Sequence, residues 1–114
     1  MPNYILLKTD GTIHNIDINE SVSENSIVNI LGGDITIHGQ YDLDQMGDDG
    51  VVIIGLKSSQ IINTHTFMAP FDNHTFYGNI LLNRVDKNGC SIDFYVDDYN
   101  KFLNSYDYHK IMSS

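Results

Sequence analysis

The sequence predicts an α+β domain built on a mainly antiparallel sheet of about six strands, ordered ββα-ββ-loop-ββα, with one or two short helices on one face. Three observations predict it. Short apolar stretches alternate with polar residues, or run unbroken, between clusters of Gly, Asp and Asn. Strong turn signals join neighbouring stretches, which favours antiparallel pairing. Helical spacing of apolar residues occurs only twice, each time briefly.

The elements follow in order. "YILLK" and "TIHNIDI" flank "TDGT", and Asp10-Gly11 marks a hairpin turn. Ile16 and Ile18 point one way, with Asn15 and Asp17 opposite. The period then changes. Ser21 and Glu24 stand three apart as a capping box, Ile27, Ile30 and Leu31 follow at helical spacing, and Gly32-Gly33 stops the helix, which is expected over 22–31. "DITIHGQY" alternates again, with Ile35 and Ile37 inward and Asp34, Thr36 and His38 outward. "DLDQMGDDG" is an acidic turn, and "VVIIGL" is a strand buried on both faces. Residues 57–75 form a long connection. "FYGNILLNRV" is a strand and "DKNG" its turn. "CSIDFYV" is the strand after, with Cys90, Ile92, Phe94 and Val96 inward. "DDYNKFLNSY" closes the domain as a helix capped by Asp97, with Tyr99, Phe102 and Leu103 on one face.

The chain of 114 residues makes one domain over residues 1–104, with a tail over 105–114 that is expected to fray. Fifteen acidic residues against six basic ones leave a formal charge of −9. Such a surface repels phosphate backbones and anionic membranes, so direct contact with nucleic acid or a bilayer is not expected. It steers a basic protein partner inward. Cys90 stands alone, which excludes an internal disulfide and a cysteine-rich zinc site. The apolar run "YILL" is too short for a signal peptide or a membrane span, so a soluble cytoplasmic location is expected.

One stretch invites a chemical reading: "THTFMAPFDNHTFYGN", residues 64–79. His65, Asp72 and His74 have the residue types of a two-histidine, one-carboxylate metal set. The same stretch reads more simply as structure. Pro70 biases Ala69 to extended backbone, Asp72 and Asn73 favour a turn, and Phe67, Met68, Phe71 and Phe76 pin the loop to the core. This structural reading ranks first. Either the connection is a partly ordered loop folded over an end of the sheet, or "SQIINTHTFM" hides another strand. The acidic turn fails as a calcium loop: counted from Asp42, the fifth ligand place is Met46 and the twelfth is Ile53. Cys90, in phase with Ile92 and Phe94, reads as a core residue and not a nucleophile. No nucleophile-elbow, phosphate-loop or dinucleotide motif is present, and no cofactor is implied. The aromatic residues Phe67, Phe71, Tyr95, Tyr99, Tyr106 and Tyr108 are the candidates for a protein-contact surface.

"LGGDITIHG", "GVVIIGLKSS", "APFDNHTFYGNILLNRVDKNG" and "IDFYVDDYNKF", in that order, resemble small uncharacterised proteins of giant DNA viruses. More distantly they are similar to a phage and bacterial domain of unknown function. The resemblance covers about residues 28–103 and rests on glycine turns and apolar strands. It attaches no catalytic residue to any position and implies a viral protein working in the cytoplasm of an infected host cell.

The leading functional expectation is a small acidic, non-enzymatic adaptor or scaffold that binds a viral or host protein. A metal-dependent enzyme using residues 64–79 ranks behind it. So does an acidic mimic of nucleic acid, because the carboxylates are scattered among turns. Self-association through an exposed edge strand, the first or the last, is a further expectation.

Overall fold

β1 (Asn3–Leu7) and β2 (Ile13–Asp17) form the expected hairpin, with Tyr4 opposite Ile16 and Leu7 opposite Ile13. The turn chemistry is local. Asp10 Oδ1 accepts from Thr12 N (2.9 Å) and Thr12 Oγ1 (2.6 Å), and Gly11 takes a positive φ of 91° that a side chain would resist. These hydrogen bonds, the Thr12 side chain's first, hold the Asp10 carboxyl below its ordinary pKa. The computed structural model describes residues 2–19, 23–42, 49–65, 67, 71, 73–101 and 103. The acidic turn over 43–48, Ser21 of the capping box, Phe102 and the 105–114 tail lie outside the described residues.

The chain is α+β. Five strands form one antiparallel sheet in the order β2-β1-β7-β4-β3, where β3 is Ile35–Asp42, β4 Gly50–Leu56 and β7 Ile80–Val85. A second sheet has only two short strands, β5 (Ile62–Asn63) and β6 (Phe76–Tyr77). Helix α1 (Ser23–Leu31) links β2 to β3, which lie at opposite edges, so it must cross a whole face of the large sheet. Its Ile27 and Leu31 pack there on Tyr4, Leu6, Ile18, Ile54 and Leu81. Gly32, at φ 88°, ends the helix by donating from its N–H to Val28 O at 2.8 Å.

Alternate residues of β1 and β4 face the other way. Ile5, Leu7, Val51 and Ile53 share a second buried layer with Ile80, Leu82, Phe67, Phe76, Phe94 and Tyr99. Residues 96–101 are helical, and Tyr99 seats this second helix, α2, in that layer. The two helices therefore cover opposite faces, not one. The reason is the double-sided burial of β1, β4 and β7, which leaves two apolar faces to cover.

Two expected strands change form, and the long connection gains one. "FYGNILLNRV" breaks at Gly78 (φ 78°) into β6 and β7. "SQIINTHTFM" does contain a strand, β5. "CSIDFYV" makes a single bridge, Ser91 to Val85, and otherwise runs as irregular chain held by Ile92 N to Arg84 O and Phe94 N to Asn3 O, both 2.9 Å. Cys90 is exposed, because it closes the turn after β7: its N–H donates to Asp86 Oδ1 at 3.0 Å. The cap of α2 falls on Tyr95, whose carbonyl accepts from Tyr99 N at 3.0 Å, and not on Asp97. Asp97 and Asp98 instead sit in the first turn, where the helix dipole favours carboxylates. The sheet edges are β2 and β3, whereas β1 lies inside.

Candidate functional site

Residues 64–79 do not act as one unit; their inner half is an anchor. Asn63, buried in β5, donates from Nδ2 to Leu7 O (2.9 Å) and Gly78 O (3.0 Å) and accepts His65 N at Oδ1 (3.0 Å). His65 reaches the β1–β2 turn, where its Nε2 meets the carbonyls of Lys8 (3.1 Å) and Thr12 (3.2 Å). Carbonyls only accept, so Nε2 carries the proton and His65 fastens the loop to the hairpin. Phe67 and Phe76 are buried with ring centroids 4.6 Å apart, and the half-buried Phe71 packs on the same layer. Aromatic anchorage of this kind makes a short two-stranded ribbon rigid where the ribbon alone would be marginal.

Asn73, His74 and Thr75 are exposed. The His74 ring stacks over Phe76 at 6.1 Å and meets the edge of Phe71 at 5.5 Å. His65 and His74 thus have different employment, and Asp72 lies outside the described residues. Among the described residues no three His, Cys, Asp or Glu side chains converge as a metal site.

Beside this ribbon, where β4 ends, opens a pocket of about 440 Å³. Its described lining is the buried Phe76 and half-buried His38, with Leu56, Lys57, Ser58 and Ser59 from the end of β4 and His74, Thr75 and Tyr77 from around β6. His38 was expected to face solvent with Ile37 inward; the structure reverses both. The register of β3 on β4 steps from Ile37 opposite Ile54 to Gly39 opposite Ile53, so His38 is the extra residue of a β-bulge. The bulge turns its ring onto Phe76 (centroids 5.1 Å) and over Gly55, where a Cβ would come 2.5 Å from Nε2. Ile37 is left 67% exposed, and the apolar layer under α1 includes Ile35 but not Ile37.

Nε2 of His38 is buried without a hydrogen-bond partner. Desolvation lowers its pKa from the ordinary 6.5, because burial penalises the charged ring. The sign for stability follows directly. The unfolded chain takes up this proton first as pH falls through 6.5, so the stability tied to neutral His38 is full above that pH and declines as acid approaches the folded-state pKa. The drop in Tm between pH 7 and pH 5 is therefore expected to be smaller in His38→Gln than in the parent protein. An identical pH dependence in both would show that His38 has no part in it.

The expected contact aromatics divide sharply. Phe67 and Tyr99 are core residues and Phe71 is half-buried, so none is a free anchor. Tyr95 is exposed, and the neighbouring Asp93 carboxylate raises its phenol pKa. Tyr106 and Tyr108 lie outside the described residues. Besides Ile37 and Tyr95, the exposed large apolar side chains among the described residues are ones that the pattern assigned to no surface: Ile61 (63%), Ile62 (52%) and Tyr77 (44%). Ile62 and Tyr77 are directly paired across the ribbon, so their side chains lie on one face. The signal available in the sequence was the break at Gly78, which separates Tyr77 from the buried run of β7.

No helix among the described residues is long and apolar enough to cross a membrane. No curated protein and no solved structure matches the chain. Residues 5–102, from β1 into α2 and including every pocket and ribbon residue named above, match the model of a family of unknown function, DUF5880, and the chain belongs to that family.

Proposed function

We propose that this protein is a non-enzymatic adaptor that binds a basic partner protein through the β5–β6 ribbon. The observation that carries the reading is the exposure of Ile61, Ile62 and Tyr77 on one short ribbon. A tyrosine beside aliphatic side chains is the composition of an interface centre. The buried Asn63, Phe67 and Phe76 behind it hold the ribbon in place, so docking orders little that was loose. The chain's charge of −9 supplies the long-range attraction and selects a basic surface. The resemblance to proteins of giant DNA viruses makes an infected cell the natural source of that partner.

The test is capture by immobilised protein from source-cell extract, with the paired variant Ile62→Ser/Tyr77→Ser alongside. Both positions are at the surface, so the variant keeps its circular dichroism spectrum and melting temperature. A stoichiometric basic protein held by the parent chain and weakened at least about tenfold by the variant is expected. Equal capture by both chains would remove the ribbon from the reading, and a parent chain that holds no protein would remove the adaptor role.

A further inference from the structure

The pocket beside the ribbon has a chemistry opposite to the rest of the chain. Fifteen of 114 residues are acidic, yet among the described residues none of the nine that line the pocket is Asp or Glu. Its lining includes Lys57, Ser58, Ser59, His74 and Thr75, which carry one ammonium, three hydroxyls and an imidazole. These groups come from two separate segments of the chain, 57–59 and 74–75, that line the same pocket. An ammonium and hydroxyls lining one pocket suit an oxyanion with several acceptor oxygens. Leu56, Phe76 and Tyr77 add an apolar, aromatic wall. A volume of about 440 Å³ holds a small molecule and is too small for a folded partner.

We propose that this pocket binds a small phosphate monoester carrying an apolar or aromatic group. The phosphoryl oxygens meet the Lys57 ammonium and the serine and threonine hydroxyls, and the organic group lies along Phe76 and Tyr77. The negative field of the remaining surface opposes approach of large polyanions, so a small, locally recognised anion is favoured over a nucleic acid. The inference is independent of the adaptor reading. Tyr77 borders both features, so the test uses Lys57, which belongs to the pocket and not to the exposed ribbon face.

The probe is phenyl phosphate, titrated into the full-length protein while amide proton–nitrogen spectra are recorded, with phenol as the uncharged control. Saturable shifts confined to residues 56–59 and 74–77 are expected, with competition by inorganic phosphate. Lys57→Glu, at an exposed position, is expected to keep the fold and weaken the response by about tenfold or more. Lys87→Glu, in the turn after β7, is expected to leave it unchanged. The proposal is overturned by an absence of saturable shifts, by shifts centred elsewhere, by an undiminished response in Lys57→Glu, or by an equal response to phenol.

Discussion

Arg84→Ala is expected to destabilise the protein by about 2–4 kcal/mol, a large share of the roughly 5–15 kcal/mol that holds a domain of this size together. Arg84 sits in the central strand β7, opposite Val51 of β4. Asp49 lies two residues before Val51, so it is the diagonal neighbour of Arg84 on the same face. Both guanidinium nitrogens Nε and Nη2 donate to Asp49 Oδ2, at 3.1 and 2.6 Å. The side chains are only 10% and 16% exposed. Removing the cation leaves a carboxylate in a place with little water, and that orphaned charge, more than the lost attraction, sets the cost. Asp49 keeps slightly more exposure, which puts the estimate below the roughly 3–5 kcal/mol of a fully enclosed pair. The check is urea unfolding of Arg84→Ala against Arg84→Met/Asp49→Leu. The double variant is expected to recover most of the loss, since apolar replacements leave no charge behind. If the double variant were as unstable as the single, the pair would not be the cause.

Arg84 also shows where reading from sequence runs short. A lone cation inside "ILLNRV" announces that a partner is needed. It does not name one, because the acidic stretch 42–49 alone offers Asp42, Asp44, Asp48 and Asp49 as candidates. Only the register of β4 on β7 selects Asp49. The same division holds elsewhere. Turns were legible because their chemistry is local: Asp10-Gly11, Gly32 and the "DKNG" turn fold as their residue types dictate. The α1 helix and the double-sided burial of "VVIIGL" were legible because their periods are unambiguous. That double-sided burial also implied cover on both faces, which a placement of both helices on one face did not honour.

The site was less legible, for physical reasons that particular residues display. His38 depends on a bulge, and a bulge is a property of two paired strands. Phe67 and Tyr99 have the side chains of an interface anchor, but the same aromatic bulk fills a core, and burial alone tells the two apart. Ile61 and Ile62 present the reverse case: isoleucine beside or within a strand reads as core, yet only Asn63 and Phe76 of this ribbon are buried, and Ile61 and Ile62 are exposed. His65 stood out as a candidate metal ligand, but its imidazole is bound to backbone carbonyls of a turn more than fifty positions away in the chain.

Phe94→Ala is expected to cost about 3–5 kcal/mol, the range for removing a buried aromatic ring. Phe94 is fully buried between the sheet and α2, and the ring of Tyr99 meets it edge-on at 6.3 Å. Its backbone is also tied down: the N–H donates to Asn3 O, and the carbonyl accepts from Asn15 Nδ2 at 2.8 Å. Asn15 Oδ1 in turn accepts from Val96 N, in the first turn of α2. The backbone clamp survives the substitution, so the segment keeps its path and the space vacated by the ring cannot collapse easily. That combination places the cost toward the upper end of the range. Phe94→Leu refills much of the space and is expected to cost about 1.5 kcal/mol or less. Urea titrations of both variants check this, with the midpoint of Phe94→Ala falling by roughly 2 M. Protease cleavage within 96–101 gives a second reading, because α2 rests on this ring through Tyr99. Faster cleavage in Phe94→Ala, at a urea concentration where the sheet is still folded, would identify α2 as the first element released. A cost below about 1 kcal/mol would mean that the sheet closes over the lost ring, and that the clamp through Asn3 and Asn15 holds α2 without it.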